Sequence, residues 1–248
     1  MSHEDLPEEE SGRRSLAKAP GKDFTAFPIR AELEDQSLDL MLLTVALSPV
    51  NLPHWRLDVF HEHSPKFLSE NMAKSQAEAA STMLERQSHE LECRLTVRQG
   101  KTDGEVRLTR LTVTDAMRRT YADGKDAISH GALAMSLLAA EQIHGFKFVQ
   151  QVRGKGPGFD YYLSRKPNIF SIGEARLEVS GIEDGDDKDL GKRISEKRKQ
   201  INDGNAREPQ EPGTRFYIGI FSAGQPLVYF AEHKPKPPKQ KKTGISGK

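Results

Sequence analysis

The stretch ISHGALAMSLLAAEQIH, residues 128 to 144, limits what this chain can fold into more than any other. It follows YADGKD, where Asp123 or Asp126 can cap a helix, and it meets Gly145, a natural C-terminal stop. Apolar and small residues run almost all the way round the helix this predicts. Such a helix has no face to give to water and must be buried on every side. Its most apolar part, Gly131 to Ala140, is only about half of a membrane span, so the burial has to come from the protein itself.

The neighbouring segments supply what would bury it. FKFVQQVRGK and GFDYYLS read as two strands joined by a GPG turn, and ARLEVSGI reads as a third. DLGKRISEKRKQIND has the pattern of an amphipathic helix, and TRFYIGIFSAGQPLVYFAEH reads as two strands turning at AGQP. The order helix, three strands, helix, two strands predicts an α/β fold with helices packed on a mixed sheet. Upstream, FPIRAELEDQSLDLMLLTVALSP predicts one or two strands, WRLDVF a short strand, and FLSENMAKSQAEAASTMLERQSHEL a helix. LECRLTVR alternates, with Leu91, Cys93, Leu95 and Val97 on one face, and turns through QGKTDG into EVRLTRLTV, where the apolar phase slips between Leu108 and Leu111 as at a bulge.

These patterns divide the chain into an acidic, disordered start (1–23), a mixed α/β region (24–122), a second α/β region (123–233) and a disordered lysine-rich end (234–248). With 35% hydrophobic and 29% charged residues and no membrane-length apolar run, the balance is that of a soluble protein. The acidic start resembles neither a secretory signal nor a transit peptide. Cys93 is the only cysteine, which rules out an intramolecular disulfide and a cysteine-based zinc cage and fits the cytoplasm.

The chemistry gathers on one polar face. In GFDYYLS alternation puts Phe159, Tyr161 and Leu163 on one side and Asp160 and Tyr162 on the other. In ARLEVSGI it puts Ala175, Leu177 and Val179 on one side and Arg176, Glu178 and Ser180 on the other. Two adjacent strands can therefore present Asp160 and Glu178 together, and paired carboxylates repel unless a cation such as Mg²⁺ joins them. On the basic helix Lys197 falls within the apolar stripe of Leu190, Ile194 and Ile201, so it points at the sheet and needs an anionic partner. Glu141 shares the inward side of the first helix with Ala134, Leu137 and Leu138.

An apolar helix followed by G-F-D-Y-Y-L, L-E-V-S-G and a basic helix carrying K-R-K-Q-I resembles the PD-(D/E)XK nuclease superfamily, which has the restriction-endonuclease-like fold. The resemblance covers about residues 125 to 233. It implies a metal-dependent nuclease that hydrolyses phosphodiester bonds of nucleic acid, DNA rather than RNA, in restriction, phage defence or repair. Asp160 and Glu178 take the roles of the metal-binding aspartate and acidic residue, with Mg²⁺ or Mn²⁺ as the ion, and Glu141 matches the extra helix glutamate of some members. The family's lysine two residues beyond the acidic position is Ser180 here, and Phe159 stands in place of the motif's proline. Lys197 is the replacement the resemblance allows, since some members carry the lysine on the following helix. Lys155, Arg176, Arg193 and Gln200 are expected to hold the phosphate backbone. The alternative is a catalytically inactive nuclease-fold module that binds nucleic acid or a partner protein. In either case residues 24–122 offer a surface for a homodimer or a partner.

Other motifs carry less. His61 and His63 of HEH would share one strand face but have no third ligand at a suitable spacing. The EDGDDKD loop lacks the spacing of a calcium loop and reads as a turn and helix cap. Glu174 precedes the alternating run and is expected in solvent. There is no P-loop, dinucleotide fingerprint or serine-hydrolase elbow.

Overall fold

A computed structural model describes residues 52–63, 66, 68–152, 158–167, 174–207 and 213–236. The strands expected within residues 27–49, the acidic start and most of the lysine-rich end lie outside them. The first half supplies strand β1 (His54–Arg56), the short helix α1 (Phe60–His63), helix α2 (Glu70–Arg86), strands β2 (Glu92–Gln99) and β3 (Thr102–Thr109), and the short helix α3 (Asp115–Thr120). The second half supplies helix α4 (Gly124–His144), strands β4 (Phe148–Gln151), β5 (Tyr161–Ser164) and β6 (Ala175–Ile182), helix α5 (Asp187–Arg207), and strands β7 (Arg215–Ser222) and β8 (Leu227–His233).

The eight strands of the described residues form one sheet in the order β1-β3-β2-β8-β7-β6-β5-β4. From β4 to β6 neighbours run antiparallel, and β6 and β7 are parallel, as the crossover through α5 requires. The hairpin of β2 and β3 adds its strand β2 parallel to β8. No break in the sheet therefore marks the boundary expected near residue 123. The molecule is α/β, with a mixed sheet flanked by helices, as the order of its elements predicts. Among the described residues no helix is long and apolar enough to cross a membrane.

Helix α4 is the burial centre. Asp123 caps it by accepting the Lys125 N–H, its middle residues 131–140 are all buried, and it ends at Gly145, whose N–H donates to the Glu141 carbonyl at 2.8 Å. It lies with α2 on one face of the sheet, over Leu95, Leu108, Leu163, Leu177, Tyr217 and Phe230. The other face packs Phe216, Ile218 and Ile220 of β7 against Leu190 and Ile201 of α5. Alternation along β7 thus feeds two cores, while the outer face of the β2–β3 hairpin is left to ion pairs such as Arg94–Glu105 and Arg107–Glu92.

Several local expectations shift. Cys93 is half-buried on the core face, but Leu91 precedes the strand and is exposed. β3 stops at Thr109, so the phase slip before Leu111 reflects the strand's end and not a bulge. Of the strand expected at WRLDVF only Trp55 and Arg56 fall in β1, which starts at His54, and the HEH triplet belongs to α1, so no strand face aligns its histidines.

Candidate functional site

The antiparallel pair β5–β6 comes apart where its carboxylates sit. Tyr161 pairs with Leu177 as the first residue of β5, and the Asp160 N–H still donates to the Leu177 carbonyl at 2.9 Å. One step further on β6, the Val179 N–H finds no backbone carbonyl and donates instead to Oδ2 of Asp160 at 2.9 Å. The side chain thus replaces a ladder bond and satisfies a backbone donor that would otherwise be stranded. Beyond this point β6 runs on to Ile182 without β5 beside it.

Gly158 makes the approach to Asp160. Its φ is +92°, and a Cβ there would lie 2.5 Å from the Gln200 carbonyl oxygen of α5, so the chain passes where only glycine fits. The bend sends Phe159 away from the face expected of it. It packs with Tyr162 and Phe216 on the α5 side, while Tyr161 and Leu163 join the α4 side.

Glu178 is 1% exposed, and its Oε1 accepts from Nζ of Lys197 at 2.5 Å. The same Nζ donates to Oε1 of Gln200 at 3.3 Å. The other carboxylate oxygen of Glu178, Oε2, is buried and accepts no hydrogen bond. Burial pushes the Glu178 carboxyl up to about 7; the charge of Asp160 adds to this, and Lys197 partly offsets it.

These groups open on a cavity of about 750 Å³. Asp160, Glu178, Lys197 and Gln200 share it with Arg193, and Ser180 lines it as well. Lys125, Ser129 and His130 of α4 and Ser75 and Gln76 of α2 also line it. A Cβ at Gly181 would sit 2.6 Å from the Ile128 carbonyl oxygen, so glycine lets α4 close directly over β6 beside the carboxylates.

Two expected site residues are placed elsewhere. Glu141 lines a separate cleft of about 500 Å³ with His54, Arg56, Lys66 and Lys147, near the far end of α4. Arg176 is 3% exposed, with its guanidinium over the rings of Tyr162 at 4.3 Å and Phe159 at 5.2 Å, so it is a core cation and no surface contact for phosphate. Lys155 lies outside the described residues. Glu174 is exposed and pairs with Arg165 at 3.0 Å. Asp186 caps α5 by accepting the N–H groups of Lys188 and Asp189, the role expected of the acidic loop.

Among the described residues no three His, Cys, Asp or Glu side chains converge on one point. Of the described residues, Asp160 and Glu178 alone supply carboxylate oxygens to the cavity. Hard oxygen donors suit a magnesium-type ion that keeps several of its waters, and the unpartnered Oε2 is a ligand atom in waiting, so this pair fits such an ion. Comparison of the chain with protein-family models, curated proteins and solved structures gives no match.

Proposed function

We propose that the chain is a Mg²⁺- or Mn²⁺-dependent nuclease of restriction-endonuclease-like fold that hydrolyses phosphodiester bonds of DNA. One observation carries the reading: Asp160, just before β5, and Glu178 on the adjacent β6 share a cavity with a lysine whose Nζ is 2.5 Å from Glu178. The run α4, β4, β5, β6, α5, β7 supports it as well, with the aspartate immediately before the second of these strands and the glutamate on the third. A divalent ion on Asp160 and Glu178 would supply charge neutralisation at the phosphate and a more acidic water.

The chain's own residues do the rest. The Val179 N–H fixes Asp160, so its carboxylate is aimed before any ligand arrives. Glu178 must lose its proton and release Lys197 before both of its oxygens can serve a cation. Lys197, once released, keeps its ammonium in the cavity, where it orients a water or meets a phosphate oxygen as a point charge. Gln200 already accepts from that ammonium and limits its swing. Lys125 and Arg193 line the same cavity and give an incoming phosphate backbone its cationic contacts.

The closed Lys197–Glu178 pair also favours a second reading, a nuclease-fold module that binds nucleic acid or a partner without cleaving it. The two separate on a cleavage assay with Mg²⁺ or Mn²⁺. The nuclease reading expects cleavage by the wild type and none by Asp160→Ala or Glu178→Ala, and cleavage surviving in both variants contradicts the assignment.

A further inference from the structure

Gln76 lies on α2, in the half of the chain that the resemblance does not cover. It is 4% exposed and sits on the same helix face as the buried Ala73, Ala77 and Ala80, where an apolar side chain would pack without cost. Its carbonyl oxygen, Oε1, is buried and accepts no hydrogen bond. Buried acceptors are normally satisfied, and one left alone costs stability, so each needs an explanation.

The cavity offers that explanation. Gln76 lines it, and so does Glu178, whose Oε2 is the other buried carboxyl or amide oxygen left without a donor among the described residues. Glu178 reaches the cavity from the α5 side of the sheet and Gln76 from the α4 side, where β6 runs on past the end of β5, and a single donor-rich ligand in that gap would satisfy both. A hydrated divalent cation is such a ligand, because amide and carboxylate oxygens both coordinate it or accept from its waters.

We infer that Gln76 is a third oxygen donor of the cation site, contributed by α2 and acting with Asp160 and Glu178. The inference rests on the metal-dependent reading above and adds the first half of the chain to the site. It makes α2 a structural part of metal binding and accounts for a glutamine among alanines.

The test is calorimetric titration of Mn²⁺, without nucleic acid, into the full chain and into Gln76→Met, Gln76→Glu and Asp160→Ala. Methionine keeps the length of glutamine and removes its oxygen. The expected result is Mn²⁺ binding by the wild type, lost in Asp160→Ala, weakened roughly tenfold or more in Gln76→Met and tightened in Gln76→Glu. The melting temperature of metal-free Gln76→Met should equal or exceed that of the wild type, since an unsatisfied acceptor is gone. Were Gln76→Met to unfold, Gln76→Glu alone would decide by its tighter or unchanged binding. Wild-type affinity in both Gln76 variants, with Asp160→Ala still defective, overturns the role of Gln76 and leaves the metal site standing. The same holds if Gln76→Met binds Mn²⁺ normally and loses only nucleic-acid affinity, which would assign the oxygen to a base amino group. No Mn²⁺ binding by the wild type overturns the parent reading and this inference together.

Discussion

Lys197 of α5 places its Nζ 2.5 Å from Oε1 of Glu178 on β6, and this contact joins helix to sheet inside the cavity. A buried carboxylate without a cation would be expensive, and a half-buried lysine held against the sheet is costly without an anion. Each is the condition for the other.

Removing the lysine should therefore cost stability in a pH-dependent way. Burial holds the folded-state Glu178 carboxyl near 7 against 4.5 ordinarily, so the folded chain keeps its proton where the unfolded chain has lost it. The contribution of this group to stability is complete below about 4.5 and is lost as pH rises towards 7, an effect of ~3 kcal/mol. Lys197→Met raises that carboxyl further and widens the loss, to roughly 3 kcal/mol more at pH 8. Lys197→Met combined with Glu178→Gln should recover most of it. Urea denaturation at pH 5 and pH 8 measures the wild type and both variants, and a Lys197→Met penalty equal at both pH values would contradict the coupling.

Gly158→Ala should damage the site without touching it. Alanine at a φ of +92° is strained, and its Cβ would meet the Gln200 carbonyl at 2.5 Å, so the segment must move and carry Asp160 with it. A loss of about 2 kcal/mol or more is expected, together with weakened Mn²⁺ binding. Unchanged denaturation and metal titration would show that the turn does not position Asp160.

Arg176 and the cavity-lining cations should behave differently. Arg176→Met removes a buried cation from two aromatic rings, so it should lower stability by roughly 1–2 kcal/mol and leave the salt dependence of nucleic-acid binding alone. Lys125→Ala with Arg193→Ala should leave stability nearly unchanged and reduce the slope of log K against log salt by about 2. Binding titrations at several salt concentrations distinguish them, and a salt slope altered by Arg176→Met would place that arginine on the nucleic acid.

The features legible in the sequence were those set by period. The apolar surround of α4 required burial, the alternation of β6 separated Glu178 from Leu177 and Val179, and the helical stripe of α5 turned Lys197 to the sheet. What periodicity does not encode is height along an element or a local break. Glu141 has an inward phase but lies 13 positions beyond Ile128, ~20 Å along the axis, and so reaches another cleft. Alternation extends β5 back to Phe159, but the strand begins only at Tyr161, and the Asp160 side chain takes the Val179 N–H. Arg176 has the phase of a site residue, and only the rings beside it in space make it a core cation. Gln76 could have been found by the reasoning applied to Lys197, since it is the polar member of an alanine-rich stripe.

The most direct measurement is cleavage of supercoiled plasmid, linear duplex, single-stranded DNA and RNA with Mg²⁺ or Mn²⁺, by the wild type and by Lys197→Ala. The expected result is metal-dependent cleavage of DNA that chelation stops and that Lys197→Ala reduces by roughly 100-fold or more, with Mn²⁺ binding retained. An absence of cleavage on every substrate, or full activity in Lys197→Ala, would contradict it.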